Sequence, residues 1–211
     1  MIAIAAVAFA VILFAFIWEM RRQPEQEDPQ IHHPPPARSA IQAQLNELDH
    51  ITQRFLPINE YSRPGRLIPK VNAIVIHYIG NPGTTAMQNR NYFANLAMTE
   101  ETHASSNFIV CLDGAVIQCV PVDEVAYASG PRNDDTLSIE LCHPDDTGEF
   151  TDETYESAIR LTALLCEKHG LTADDIIRHF DATGKECPKY YVENEDAWDA
   201  FKADVAKALE S

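Results

Sequence analysis

The sequence predicts an α/β (α+β) protein in which a central mixed β-sheet is flanked by helices. Segments with strand character and segments with helical periodicity alternate from residue 56 onward. Apolar residues make up 45% of the 211 residues, which is the proportion that a packed core requires. We therefore expect one globular domain with an N-terminal extension.

Short apolar runs predict the buried strands of the sheet. Residues 71–77 (VNAIVIH) and 137–142 (LSIELC) have the continuous apolar character of buried strands. Residues 175–179 (DIIRH) form a shorter run of the same kind. Two of these runs end on a histidine, His77 and His179, so a functional site is expected at strand ends.

A β-hairpin is predicted where two further apolar runs flank a turn sequence. Residues 108–112 and 115–120 are joined by Asp113-Gly114, which is typical of a two-residue hairpin turn. That turn would place Cys111 and Cys119 out of register and on opposite faces. We therefore expect no disulfide between them.

Capping residues and apolar spacing predict three helices. Thr84 is the expected N-cap of a helix over 87–96. Thr151 is the expected N-cap of a longer helix that stops at Gly170. Asn194 begins the last helix. Its buried stripe is predicted to consist of Trp198, Phe201, Val205 and Leu209.

The first 55 residues divide into three segments of different composition. Residues 2–18 are 17 consecutive apolar residues, about 25 Å long as a helix, so residues 1–18 are predicted to be an uncleaved transmembrane anchor. Residues 19–40 form a Pro-rich linker. Residues 41–55 have apolar positions at helical spacing and predict an amphipathic helix, which leaves 56–211 as the globular domain.

The charge balance excludes one class of partner. The chain has 16 basic and 32 acidic residues and a net charge of −16. Residues 55–211 contribute 12 basic and 26 acidic side chains, or −14. Because such a surface repels phosphate backbones, we expect no nucleic-acid partner.

Three residues at strand ends or in loops form a candidate metal site. His77, His179 and Cys187 offer imidazole and thiolate, which are ligands that zinc prefers. Three protein ligands leave the fourth tetrahedral position free for water, as in catalytic zinc sites. The same residues also permit a thiol hydrolase in which Cys187 is the nucleophile and a histidine is its base.

Four segments in this order resemble the motifs of a known family. They are residues 73–83 (AIVIHYIGNPG), 105–114 (SSNFIVCLDG), 138–140 (SIE) and 177–188 (IRHFDATGKECP). Together they resemble the zinc-dependent type-2 N-acetylmuramoyl-L-alanine amidases, which are related to peptidoglycan recognition proteins and certain phage lysozymes. The resemblance covers about residues 57–205 and is closest to cell-wall amidases of Gram-positive bacteria.

The resemblance implies a fold, a cofactor and residue roles. It implies an amidase-like domain that binds one Zn²⁺ through His77, His179 and Cys187. Glu140 matches the glutamate that handles the attacking water, and Lys185 matches the catalytic lysine. The implied reaction is hydrolysis of the peptidoglycan amide bond between N-acetylmuramic acid and the L-alanine of the stem peptide.

The same resemblance suggests which residues contact the substrate. Family segments that form the substrate groove correspond to, or lie beside, Tyr78, Asn81, Asn91, Ser106, Asn107 and Arg132. Arg132 would form an ion pair with a carboxylate of the stem peptide.

A non-catalytic peptidoglycan recognition module is the alternative from another functional class. Such relatives typically lose a zinc ligand, notably the cysteine, whereas this chain retains all three ligands together with both catalytic candidates. The resemblance therefore favours an enzyme.

Location follows from the anchor and the implied substrate. An N-terminal helix in the membrane would tether the catalytic domain outside the cell, at the wall. The basic residues near the segment, Arg21, Arg22 and Arg38, all follow it, and the positive-inside rule would then place the domain in the cytoplasm. The orientation of the anchor is therefore open.

Overall fold

A mixed β-sheet forms the centre of the part of the chain that the computed structural model describes, which is Gln42 and residues 51–210. The strands in that part are β1 (Ile51–Gln53), β2 (Ala73–Tyr78), β3 (Phe108–Val110), β4 (Val116–Gln118), β5 (Thr136–Leu141) and β6 (Ile176–Arg178). They form one sheet in the order β1-β4-β3-β5-β2-β6. β3 and β4 are antiparallel and the other neighbours are parallel, so the predicted mixed sheet is confirmed.

Helices cover both faces of this sheet. Those within residues 51–210 are α1 (Ala86–Thr99), α2 (Asp152–His169), α3 (His179–Thr183), α4 (Lys189–Glu193) and α5 (Glu195–Leu209), with 3₁₀ turns at Gly130–Arg132 and Ala173–Asp175. One apolar cluster packs α2 and α5 against the sheet, and Trp198, Phe201 and Val205 of the predicted stripe are buried in it. A second cluster contains Phe93 and Leu96 of α1.

The predicted helix caps are present, but one N-cap lies one residue later than predicted. Thr151 caps α2, and Gly170 ends it in the left-handed region at φ +67°, as predicted. The N-cap of α1 is Thr85 rather than the predicted Thr84. Thr85 and Gln88 form a capping box, with 3.2 Å and 2.8 Å side chain to backbone hydrogen bonds, which neighbouring Thr84 cannot form.

The hairpin is present, but its predicted two-residue turn is wrong. The backbone N–H of Cys111 donates to the carbonyl oxygen of Ala115 at 2.8 Å, so the loop consists of three residues, 112–114. Gly114 adopts φ +76°, a left-handed conformation that suits the last position of such a loop. Cys119 and the other four cysteines are free thiols.

The predicted helix over residues 41–55 is wrong at its C-terminal end. Residues Ile51–Gln53 form β1 and pair in parallel with β4. Strand pairing buries Ile51 at the sheet edge, which satisfies the apolar pattern that a helix would also explain. Gln42 is helical, and its side-chain amide exchanges hydrogen bonds of 3.0 Å and 2.9 Å with that of Gln118.

Three predictions lie outside the described residues. They concern the transmembrane anchor at 1–18, the linker at 19–40 and the rest of the amphipathic helix. Among the helices of residues 51–210, none has the length and apolar character needed to cross a bilayer.

Candidate active site

Parallel strand pairing brings three chemically active side chains to one edge of the sheet. His77 and Glu140 are partners in the register of β2 and β5. Ile76 pairs with Arg178 on β6, so His179, the next residue, lies beside His77. Because parallel strands end at the same edge, residues from distant parts of the chain meet there.

The two histidines and Cys187 form a compact buried cluster. Nδ1 of His77 lies 3.1 Å from Nδ1 of His179 and 3.9 Å from Sγ of Cys187. One ligand atom from each residue lies within 4.8 Å of the other two. The loop that returns Cys187 is closed by a 2.9 Å hydrogen bond from the Phe180 N–H to the Cys187 carbonyl oxygen.

This donor set fits a zinc ion. Tetrahedral Zn–N and Zn–S bonds place two nitrogen ligands about 3.3 Å apart and nitrogen and sulfur about 3.6 Å apart. The distances in the cluster, 3.1 Å and 3.9 Å, are close to both values. The structure thus brings together the three predicted ligands, His77, His179 and Cys187.

Burial keeps the side chains of the cluster uncharged. Burial, with the nearby charges of His179 and Lys185, holds the pKa of His77 well below its ordinary value. Burial and Lys185 lower the pKa of His179 to about 4. Burial, opposed in part by a hydrogen bond from the Tyr78 backbone, raises the pKa of the Cys187 thiol to about 12. Without a metal the imidazoles are therefore neutral and the thiol is protonated, so binding would release a proton.

Ser129 contacts the cluster, although the sequence analysis did not single it out. Its hydroxyl oxygen lies 3.2 Å from Nε2 of His77, and both residues are almost completely buried. The Ser129 backbone N–H donates to Oδ1 of Asn133 at 2.6 Å, which holds this loop in place. With a metal on Nδ1 of His77, the ring proton would sit on Nε2 and would be donated to the Ser129 hydroxyl, which would orient the ring.

Arg178 holds the segment that carries His179, and it too escaped the sequence analysis. Its guanidinium donates to the carboxylates of Asp181 and Glu195 at 2.9 Å and 2.8 Å and to the carbonyl oxygen of Tyr191 at 3.0 Å. The side chain is only 8% exposed. Its contacts tie the start of α3 to α4 and α5, and of these partners only Asp181 lies at a local i,i+3 spacing.

Glu140 lies beside the cluster, and one of its carboxyl oxygens makes no hydrogen bond to the described residues. Its Oε2 is buried and has no hydrogen-bond partner among the described residues. Burial raises the pKa of Glu140 to about 8, against the opposing charge of Lys185. A buried, unpartnered carboxyl oxygen is costly to maintain, which is typical of a group reserved for substrate or water.

Lys185 lies on the loop between α3 and Cys187, with its side chain exposed. Its positive charge lowers the pKa of His77, of His179 and of Glu140, so it acts electrostatically on the whole cluster. Lys185 therefore acts on the cluster through its charge, and its catalytic role stays a prediction.

Four of the predicted substrate contacts lie at or near the surface. Tyr78 ends β2 and stacks on His143, with ring centroids 5.1 Å apart. Asn81 is exposed in the loop after β2, and Asn91 is exposed on α1. The guanidinium of Arg132 is already engaged by Asp135 through hydrogen bonds of 2.8 Å and 2.9 Å, so it is not a free cation.

The structure does not support substrate contact by Ser106 and Asn107. Both side chains are completely buried. The Ser106 hydroxyl donates to the carbonyl oxygens of Phe108 and Ser138, and Oδ1 of Asn107 accepts from the Ser138 N–H. The Asn107 amide also donates to the Pro121 carbonyl oxygen at 3.1 Å. These bonds link β3 to β5 internally, so the two residues are structural.

The fold and the buried cluster define an α/β domain with a candidate metal site beside its strand ends. Residues 68–190 match the family model described as N-acetylmuramoyl-L-alanine amidase. The chain therefore belongs to the N-acetylmuramoyl-L-alanine amidase family, and the predicted family is confirmed.

Curated relatives agree with this assignment. A probable N-acetylmuramoyl-L-alanine amidase from Bacillus licheniformis is 33% identical over 171 residues, covering 75% of this chain and 48% of the relative. The N-acetylmuramoyl-L-alanine amidase BlyA from Bacillus subtilis (strain 168) is 34% identical over 173 residues, covering 72% and 45%. The chain spans about half the length of these curated relatives.

Solved structures show the same fold. A mutant endolysin from Bacillus subtilis superposes with a TM-score of 0.63 and 28% identity, covering 74% of this chain and 97% of that one. The catalytic domain of XlyA has a TM-score of 0.63 and 27% identity, with 74% and 98% coverage. The similarity thus covers nearly the whole of each solved domain.

Proposed function

We propose that this chain is a zinc-dependent N-acetylmuramoyl-L-alanine amidase. It hydrolyses the amide bond between N-acetylmuramic acid and the L-alanine of the peptidoglycan stem peptide. The observation that carries the proposal is the buried cluster of His77, His179 and Cys187 beside Glu140, in a chain of the amidase family.

Amide hydrolysis needs an activated water, stabilisation of a developing oxyanion and a proton for the departing amine. When bound, zinc supplies a Lewis acid that acidifies water and polarises a carbonyl group. A bound cation would favour the carboxylate form of Glu140, whose free Oε2 then takes a proton from the attacking water and delivers it to the departing nitrogen. Lys185 stabilises the negative charge that develops on the carbonyl oxygen.

The geometry favours this reading over a thiol hydrolase. In a thiol hydrolase the cysteine pairs with one imidazole, and a separate group orients that imidazole. Here both imidazoles turn Nδ1 toward the same point, and Nδ1 of His77 faces both His179 and Cys187. Three donors around one centre support metal binding rather than a nucleophile and base pair.

The test is hydrolysis of purified peptidoglycan, followed by mass spectrometry of the released peptides. Protein as purified, treated with a chelator and then restored with zinc should give activity, loss and recovery. Peptides with a free L-alanine N-terminus are the expected product. Peptidoglycan binding without cleavage under every metal condition would instead favour the recognition module, and activity that persists after chelation would favour the thiol hydrolase.

Variants with matched controls assign the roles. Glu140→Gln should reduce kcat by about 10²–10⁴-fold and leave zinc content unchanged, because it removes proton transfer but no ligand. Glu186→Gln, on the exposed loop next to Cys187, is the control and should retain activity. Equal loss in both variants would contradict the role of Glu140.

We further propose that the enzyme acts at the cell wall. The substrate lies outside the cytoplasm, and the predicted anchor at residues 1–18 would hold the domain near it. Protease added to intact cells should remove the domain if it faces outward and should spare it if the positive-inside rule sets the orientation.

A further inference from the structure

Two cysteines lie side by side at the ends of neighbouring strands, away from the candidate zinc ligands. Val110 of β3 and Leu141 of β5 are partners in a parallel register, so the next residues, Cys111 and Cys142, are also opposite each other. The Cys142 backbone N–H donates to the carbonyl oxygen of Val110 at 2.9 Å, which continues the pairing to this point.

The two thiols share one face of the sheet and are in contact. Both pack into the apolar cluster that contains residues of α1, and, with burial, the neighbouring Cys111 thiol contributes to the raised pKa of Cys142. Neighbouring strands run about 4.8 Å apart. That spacing lies within the range of roughly 4.4–6.8 Å between Cα atoms that a disulfide spans.

The backbone at both positions is fixed. The carbonyl oxygen of Cys111 accepts hydrogen bonds from the Thr154 hydroxyl at 2.9 Å and from the Gly114 N–H at 3.0 Å. On the other strand, the Ile79 N–H donates to the Leu141 carbonyl oxygen at 2.9 Å. The chain has therefore already lost the freedom that ordering for a cross-link would cost.

Cys111 is the thiol that an external oxidant reaches first. It is half-buried, whereas the other four cysteines are buried. Burial raises the pKa of Cys119, Cys142 and Cys166 to about 12, so these thiols remain protonated at neutral pH. The Ala86 N–H, at the first residue of α1, points at the Cys111 sulfur from 3.4 Å.

We propose that Cys111 and Cys142 form an intramolecular disulfide when the protein meets a small-molecule disulfide. The Cys111 thiolate attacks one sulfur of the oxidant, forms a mixed disulfide and releases one thiolate. Cys142 then attacks the Cys111 sulfur and expels the second thiolate, which takes up the Cys142 proton as it departs. The two protons from the cysteines end on the two released thiols, so the protein is oxidised by two electrons and the oxidant is reduced by two.

The cross-link would join the hairpin to the strand that carries Glu140. Cys142 is two residues beyond Glu140 on the same face of β5. Oxidation would close a loop of the 32 residues from 111 to 142. It would therefore stabilise the folded state without involving the zinc ligands.

Peptide mapping tests the proposal directly. The zinc-loaded full chain is equilibrated with oxidised glutathione, alkylated, digested with trypsin without reduction and analysed by mass spectrometry. Cleavage after Arg90, Arg132 and Arg160 places Cys111 with Cys119 in one peptide and Cys142 in the next. The expected result is a covalent pair of these peptides that lacks two hydrogens and separates on reduction.

Variants identify the partners. Cys119→Ser is the matched control and should keep the cross-linked pair, whereas Cys111→Ser and Cys142→Ser should each abolish it. The oxidised wild type should melt about 5–10 °C above the reduced form, and Cys111→Ser should show no such shift.

Three results would overturn the proposal. They are a mixed glutathione disulfide that persists at Cys111, a link that depends on Cys119, and a link only between two chains. Each is read from the wild type and the Cys119→Ser control, so the result does not depend on the folding of the other variants. Because zinc binding is not measured in this assay, its failure and failure of the proposed amidase function are distinguishable.

Discussion

Ser129→Ala isolates the hydrogen bond that orients the His77 imidazole. In the structure Nε2 of His77 lies 3.2 Å from the Ser129 hydroxyl oxygen, and His77 is 1% exposed, so water cannot replace the lost acceptor. A buried N–H left without a partner costs about 1–3 kcal/mol. Metal-free His77 can relieve that penalty by moving its proton to Nδ1, whereas a ring that binds metal through Nδ1 cannot.

The penalty therefore falls mainly on the metal-bound state. At about 1.4 kcal/mol for each tenfold change, we expect zinc affinity to fall by roughly 10–100-fold. Competition with a chromophoric chelator measures the affinity, and the ¹⁵N shifts of the imidazole report the tautomer. In the Ser129→Ala protein the metal-free ring should gain the form protonated at Nδ1.

Ser157→Ala is the matched control. Its hydroxyl is also buried, but it donates to the Gly114 carbonyl oxygen at 2.6 Å on the opposite side of the sheet from His77. This variant should lose stability and keep the wild-type zinc affinity. A Ser129→Ala protein whose affinity stays within about twofold of wild type, with an unchanged tautomer, would refute the reasoning.

Four further perturbations test other parts of the molecule. Lys185→Met should lower kcat by roughly 10²-fold with little change in zinc content, as measured by peptide release and metal analysis. Arg178→Met should lower the free energy of unfolding by roughly 1–3 kcal/mol in denaturant titrations, because it removes a buried guanidinium that pairs with the partly exposed carboxylate of Asp181 and the exposed carboxylate of Glu195. Gly114→Ala should lower the free energy of unfolding by roughly 2–3 kcal/mol, because its Cβ would lie 2.8 Å from a backbone oxygen of α2. Gly170→Ala, which has open space around it, should lower it by only about 1 kcal/mol. A hydrogen bond from the Arg132 guanidinium holds the pKa of Asp135 below its ordinary value of 3.8. The stability that this carboxylate contributes is therefore complete above pH 3.8 and is lost as the pH falls further. Asp135→Asn should remove this part of the loss of stability in acid, as measured by unfolding at a series of pH values.

Local sequence patterns predicted correctly those strands and helices whose side chains pack against the core in a simple periodic pattern. The continuous apolar run of β2 and the stripe of α5 depend on near neighbours in sequence, and both were predicted. The cap of α2 was also predicted, because Thr151 and Gly170 act within one turn of the helix. The three metal-ligand candidates were predicted from their side-chain chemistry, and the structure brings them together.

Predictions were wrong where the local sequence is compatible with two different backbone conformations. The stretch Leu112-Asp113-Gly114 suits either a two-residue or a three-residue hairpin loop, and the register of the strands selected the longer one. Ile51 suits a helical stripe or a strand, and parallel pairing with β4 selected the strand. In both cases, pairing with a strand elsewhere in the chain determined which conformation forms.

Family resemblance assigned Ser106 and Asn107 to the groove, but their environment made them structural. Each is polar in sequence and could have faced a substrate. In the structure both are buried against Ser138 of β5 and exchange hydrogen bonds across two strands. A polar residue near a motif is therefore not evidence of exposure.

Sequence established the strand and helix pattern, the donor types of the metal cluster and the family, because each depends on residue chemistry or short-range spacing. Tertiary structure decided which side chains support that cluster. Ser129 is 52 positions from His77 in the chain, and Glu195 is 17 positions from Arg178. Ser129 meets His77 only when the loop before the 3₁₀ turn at Gly130–Arg132 folds against the end of β2. Glu195 meets Arg178 only when the start of α5 folds back toward β6, so no local periodicity encodes these contacts.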